Sequence, residues 1–389
     1  MPTAIVSGAL ANKSFNGGEA WVRLSWILGL ARLGFDVHFV EEISSEACVD
    51  DAGQPAGFGE SANRAYFESV IGAFGLQSRA GLLCDGGAQC HGLDLGELTE
   101  AAAAADVLFD ISGHLTIEPL LRGPRISVYV DLDPGFTQAW HADGSLGFRL
   151  GGHDHYVTVG LNVGGPGWPI PTEGIEWLHT LPPVVLEEWG AQPTPTEPVR
   201  FTSVATWRSP YGAVEIEGRR TNLKHHQMRR MIELPEKVDG ALFEIALSIH
   251  PDDSADLEAL RGHGWQVVEP RQVAASPQAY REYVCQSGAE FSVAQGVYAE
   301  AGSGWFSDRT AAYLACGRPA LVQDTGLADT WPLSGGLLSF TSLDQAIAAA
   351  ERIAADPVAH AGAARRFAEE HLDSDLVLGR LLSAIGVEG

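Results

Sequence analysis

Two groups of residues have the types and spacing to do chemistry. The first suits proton transfer. Asp110-Ile111-Ser112-Gly113-His114 closes one apolar run, Asp131-Leu132-Asp133-Pro134-Gly135 closes the next, and His153-Asp154-His155 comes soon after. An imidazole exchanges protons near neutral pH, so His114, just past a glycine, is a candidate base with Asp110 to orient it. Asp131 or Asp133 can serve as base instead. Each has a plainer use: His114 in capping or packing the next helix, and the aspartates in forming the turn before Pro134-Gly135. An Asp-x-Asp pair after a strand also suits a divalent cation.

The second group suits an anion. In Glu300–Gly326, Gly302 and Gly304 permit a tight turn and close backbone approach, and Ser303, Ser307 and Thr310 place hydroxyls at a helix start. Free N–H groups and the helix dipole there attract phosphate, and Asp308 and Arg309 lie in the first turn. An ordinary loop–helix–strand crossover also uses glycines this way. Arg208 and Lys224 follow the first strand of the second half and are candidates to neutralise a diphosphate, with surface ion pairs as their other use. Gly17-Gly18 ends a loop, Asn12–Glu19, that should face the same cleft. Glu19 suits the N-terminus of the helix that follows or a ligand contact.

These groups need elements to hold them. Thr3–Ser7 reads as a buried strand, Trp21–Leu33 as a helix stopped by Gly34, and Asp36–Val40 as a second strand. Such units build parallel sheets. Asp106–Ile111 and Ile126–Val130 read as central strands. In the second half, Phe201–Ala205, Ala241–Ile249, Trp265–Val268, Glu290–Ala294 and Ala320–Gln323 read as strands. A helix through Ala315 stops at Gly317, with Pro319 beyond it. Amphipathic helices span Ser342–Asp356 and His360–His371, and Asp375–Ile385 is separate enough to pack elsewhere. Pro193, Pro195 and Pro198 mark an extended linker. The expected fold class is α/β: two Rossmann-like domains, residues 1–190 and 201–372, joined by the linker 191–200 and followed by a crossover helix, 373–389. Ligands of such sheets bind beyond the carboxyl ends of the strands.

Gly304-Trp305-Phe306-Ser307, then Ala315-Cys316-Gly317-Arg318-Pro319, resembles the nucleotide-sugar-binding region of GT-B glycosyltransferases. The resemblance implies a soluble transferase that moves a sugar from a nucleoside-diphosphate sugar, as a UDP-sugar, to a small-molecule acceptor such as a nucleoside or natural-product aglycone. It implies that Gly302, Ser303, Gly304 and Ser307 hold the diphosphate and that Asp324, near Gly326, faces the sugar. It also implies a cleft that closes about the linker, with no metal and no resident cofactor. The chain departs from the family at position 312. Ala312 stands where the acidic ribose ligand belongs, and Asp308, a turn earlier, is its candidate replacement.

Composition narrows the alternatives. The 389 residues carry 25 Lys+Arg against 50 Asp+Glu, a net charge of -25, and include only three lysines: Lys13, Lys224 and Lys237. That charge disfavours nucleic-acid and anionic-membrane partners. The partners implied are a nucleotide sugar and an acceptor, in a monomer or homodimer. No signal peptide or apolar span is read, so the chain is expected to be cytoplasmic. Cys48, Cys84, Cys90, Cys285 and Cys316 then read as reduced thiols, with Cys84, Cys90 and His91 a weak metal pattern. Trp140, Trp168, Trp177 and Trp189 suit stacking on a flat acceptor or loop packing. The rivals are a metal-dependent GT-A enzyme using Asp131 and Asp133, a sugar-nucleotide epimerase on the same scaffold, a nicotinamide dehydrogenase, and a non-catalytic sugar-binding protein. The dehydrogenase fingerprint is absent after the first strand.

Overall fold

In the computed structural model, residues 1–190, 193, 198–331, 333 and 335–387 are described. Most of the Pro-rich segment expected as a linker, 191, 192 and 194–197, lies outside them.

The first lobe is one eight-stranded sheet. Its strands are β1 (Thr3–Ser7), β2 (Asp36–Ile43), β3 (Ala80–Cys84), β4 (Gln89–Gly92), β5 (Val107–Ile111), β6 (Ile126–Asp131), β7 (His155–Thr158) and β8 (Trp177–His179). They lie in the order β4-β3-β2-β1-β5-β6-β7-β8, and every pairing is parallel except β3 with β4. The central strands are apolar on both faces because helices cover both.

The second lobe holds β9 (Val199–Thr206), a hairpin of β10 (Glu215–Ile216) and β11 (Arg219–Arg220), then β12 (Ala241–Ser248), β13 (Gln266–Val268), β14 (Ala289–Ser292), β15 (Ala320–Gln323) and β16 (Leu337–Phe340). Its parallel sheet runs β13-β12-β9-β14-β15-β16, so strand order reverses between β9 and β14. In the first lobe it reverses between β1 and β5. Loops leaving these strand pairs diverge and open a crevice.

The lobes are docked face to face. The helix Gly17–Arg32 packs against the second-lobe helix Pro277–Gln286, and Trp21 Nε1 donates to the Pro277 carbonyl at 2.8 Å. The Gly17 N–H donates to the Ala274 carbonyl at 2.7 Å. A Cβ at Gly17 would lie 2.1 Å from the Ser276 carbonyl oxygen, so only glycine fits this junction. The helix Ser374–Ala384 lies back along Gly17–Arg32, with Leu378 over Gly29 and Asp375 paired to Arg32. One apolar core therefore runs through both lobes, from Trp21 and Trp26 to Tyr313 and Phe367.

One sequence expectation changes, and the tryptophans take the packing reading. Cys285 and Cys316, read as reduced, form a disulfide, because adjacent helix ends bring their Cα atoms to 5.5 Å. Trp177 and Trp189 are buried in packing, Trp189 against Trp21 and Tyr280, rather than offered to an acceptor. Trp140 and Trp168 join an interlobe cluster with Phe136 and Tyr211.

Candidate active site

A cavity of about 470 Å³ lies between the lobes, at the carboxyl ends of β9 and β14. The first lobe contributes Ser14 to Asn16, Gly18 and Glu19. The second contributes Lys224, Val204 to Thr206, and Ser307 to Arg309.

The first-lobe rim is built by a buried carboxylate. Glu41, on β2, accepts from the N–H groups of Leu10, Ala11 and Asn12 at 2.9, 2.6 and 2.8 Å. Burial pushes its pKa up to about 7, against the pull of those three donors. Asn63 holds the same segment through the Ala11 carbonyl. The chain then passes through Phe15, at a φ of 60°, into the helix capped by Asn16. Arg271 of the second lobe stacks over Phe15, 4.1 Å from its ring centre, and donates to the Asp51 carbonyl. This contact bridges the lobes at the mouth of the cavity.

The second-lobe face carries Lys224 and Arg309, with Glu269 and Asp308 beside them. Lys224 begins a short helix, Lys224–Arg229, and makes no hydrogen bond or ion pair among the described residues. Burial first, then the positive charge of Arg309, lower its pKa to about 7. Arg309 sits in the first turn of the helix Asp308–Ala315. Ser307 caps that helix by accepting from the Arg309 N–H at 3.2 Å. Beside it, burial first and then the charge of Glu19 raise the Asp308 carboxyl to about 6.

The acid–base candidates separate. Asp131 is buried, and both its oxygens are used. Thr137 and the Asp133 N–H donate to Oδ1, and Gln138 and Thr158 donate to Oδ2, at 2.6 to 3.0 Å. It is a structural anchor, so neither proton transfer nor an Asp-x-Asp metal site fits it. Asp133 instead points across the lobe boundary and accepts from the Tyr298 hydroxyl at 2.6 Å. Burial raises its pKa to about 6. The Tyr298 hydrogen bond opposes this, and the charges of Asp131 and Glu19 reinforce it.

Asp110 does not orient His114. It is fully buried and meets His153, 3.3 Å away, instead. Burial first, then Arg23, Arg149 and Lys13, lower the His114 pKa to about 4, which leaves the ring neutral at neutral pH. Glu19 pairs with buried Arg23. Burial alone would raise its pKa, but Arg23 and Lys13 hold it below the usual carboxylate range.

The glycine turn also has a different place. Asn162 of the first lobe donates to the carbonyls of Gly302 and Gly326. The N–H groups of Leu161 and Asn162 donate to the Gly304 and Ser303 carbonyls. Gly302, Ser303 and Gly304 therefore seal the lobe junction beside the cavity and do not line it. Ser303 is fully buried and bonds back to Tyr298. Gly17 is likewise a docking residue, while Gly18 lines the cavity. Asp324 caps its own turn through the Gly326 N–H and lies off the cavity wall. Arg208 is held in a two-pronged pair by Asp253, away from the cavity.

Sequence reasoning missed Tyr298, Arg23 and Glu41. Tyr298 lies in a short, featureless helix, but Glu41, an acid inside an apolar strand, carried a signal: a buried charge needs partners.

No family model matches this chain, and no curated protein matches it by sequence. By fold it is similar to an alpha-glucosyltransferase in complex with UDP (TM-score 0.59, 11% identity, covering 99% of this chain and 100% of that one). It is similar to Anabaena HepE in complex with UDP and glucose (TM-score 0.57, 11% identity, 99% and 100%). A third is sucrose-phosphate synthase from Thermosynechococcus elongatus (TM-score 0.55, 12% identity, 99% and 99%). The fold is the GT-B fold of glycosyltransferases: two Rossmann-like domains facing across a cleft. Among the described residues no helix is long and apolar enough to cross a membrane.

Proposed function

We propose that the protein is a glycosyltransferase that takes a sugar from a nucleoside-diphosphate sugar, with UDP as the nucleotide, and passes it to a small-molecule acceptor. One observation carries this reading. Lys224 and Arg309 both border the cavity, beside the N-terminus of Asp308–Ala315, and Lys224 has no hydrogen bond or ion pair among the described residues. In a chain of net charge -25, two cations gathered at a cleft mark the place of an anion. A departing diphosphate is stabilised there by donors already in position. The charge is thus supplied by the chain, and the reading requires no metal and no resident cofactor. Asp308 is the candidate ribose contact.

The acceptor would lie toward the first lobe, with Asp133 as the base that removes its proton. A pKa of about 6 leaves Asp133 ionised at neutral pH yet more basic than an ordinary carboxylate. His114, at about 4, is the weaker base. The acidic surface supports a small acceptor over DNA or an anionic membrane.

The test is a thermal-shift panel of UDP, TDP, GDP, ADP and NAD, each with Mg²⁺ or EDTA. A ligand that binds the native state raises Tm by mass action. UDP should raise Tm equally in Mg²⁺ and EDTA, and Lys224→Met should remove the shift. A shift that needs Mg²⁺ would contradict metal independence, and a shift with NAD alone would contradict the reading altogether. Turnover of a UDP-sugar without an acceptor, to an epimer, would replace transfer with epimerisation.

A further inference from the structure

Arg309 is gripped from below by a carboxylate that the proposed chemistry does not use. Glu290 lies on β14, a central strand of the second sheet, and its side chain is fully buried. Arg309 Nε donates to Glu290 Oε1 at 2.8 Å, and Nη1 donates to the Val204 carbonyl at 3.0 Å. These two bonds fix the plane of the guanidinium. Nη2 has no hydrogen bond among the described residues, and the side chain borders the cavity. The second oxygen of Glu290, Oε2, is buried without a hydrogen-bond partner.

An ionised carboxylate on a central strand is costly unless something repays it. A folding role alone is served as well by an apolar pair of similar volume. What the pair supplies is direction: it fixes an otherwise mobile guanidinium with one edge bonded inward, on a side chain that borders the cavity.

We propose that Glu290 is a positioning residue for the diphosphate of the donor, acting through Arg309. The inference rests on the nucleotide-sugar reading of the cavity. Glu290 never touches the ligand. It sets where the Arg309 edge meets the phosphate oxygens.

The test is a double-mutant cycle read by calorimetric binding of UDP and of uridine, which lacks the phosphates. Wild type, Glu290→Gln, Arg309→Met and the double variant are compared. Glu290→Gln should weaken UDP binding about tenfold and leave uridine binding unchanged. In the Arg309→Met background it should weaken UDP no further. Glu290→Asp keeps the charge but withdraws it by one methylene. It should fold normally and show a smaller loss of the same kind, covering the case in which the glutamine variant is unstable. Equal losses for UDP and uridine, or additive losses in the double variant, would make Glu290 merely structural. Should wild type bind uridine and UDP with equal strength, the diphosphate site itself would be wrong. Should UDP bind tightly to wild type and to both Glu290 variants alike, this inference alone would fail.

Discussion

The two faces of the cavity carry opposite chemistry. The second lobe presents two cations, Lys224 and Arg309, at the carboxyl ends of β9 and β14, with Glu269 and Asp308 beside them. The first lobe contributes Glu19 to the wall, with Asp133 at the lobe junction, bonded to Tyr298 just off that wall, and the neutral ring of His114 near Arg23. Both lobes have the same kind of sheet with the same reversal of strand order, so the fold alone does not set this polarity. Side chains at equivalent strand ends set it. The difference separates an anion-holding face from a proton-accepting face. A reaction that expels a diphosphate while an acceptor loses a proton needs both.

The strongest way to break the comparison is at Asp133. Asp133→Asn preserves an oxygen for the Tyr298 hydroxyl but cannot take a proton. It should lower kcat by about 10² to 10⁴, the usual worth of a general base, with the UDP Kd unchanged. Asp131→Ala, two residues away, should do the reverse. It leaves Thr137, Gln138 and Thr158 without their acceptor, at about 1–3 kcal/mol. Denaturant unfolding should show that loss, while the UDP Kd holds. A kcat that survives Asp133→Asn would leave the first-lobe face without its chemistry.

The cationic face comes next. Lys224→Met should weaken UDP about 10- to 100-fold, within the range of a charge-assisted bond. Its lowered pKa fixes the pH dependence. Lys224 is charged only below about 7, so UDP affinity should fall as pH rises through 7, and the slope should vanish in Lys224→Met. Between about 7 and 10.5 the unfolded chain keeps a proton on Lys224 that the folded chain has shed. This group therefore makes stability rise with pH across that window. Asp133 must be ionised, above about 6. The kcat/KM profile of the free enzyme should thus peak between about 6 and 7.

The sequence already made much of this legible, for physical reasons. Apolar runs of strand length alternated with helical patterns. Gly34 and Gly317, both at positive φ, and Pro319 marked helix ends and the return to a strand. Lys224 stood out because lysine is so scarce. What stayed hidden depended on what presses against a residue. A glycine at positive φ reads the same whether a phosphate or another lobe comes close, so Gly302 and Gly304 were assigned to a ligand when Asn162 is their neighbour. Asp131 and Asp133 look equivalent in Asp-Leu-Asp, yet the strand pleat turns one into the core and the next turn sends the other across the boundary. His153 was as visible as His114, but only the register of β6 with β7 brings it near Asp110.

The finest test separates two arginines that the sequence placed in one role. Arg208 spends its Nε and Nη2 on Asp253, on the surface and off the cavity wall. Arg309, which borders the cavity, spends Nε and Nη1 on Glu290 and Val204 and leaves Nη2 without a hydrogen bond among the described residues. If cavity charge is what counts, Arg208→Ala should change the UDP Kd by less than about twofold and barely move Tm, as removal of an exposed pair usually does. Long-range attraction from Arg208 is screened within about 8–10 Å at physiological salt, so a modest effect at low ionic strength should fade on adding salt. A tenfold loss at physiological salt would mean that Arg208 swings onto the ligand and abandons Asp253. The cationic face would then be assembled by the ligand rather than waiting for it.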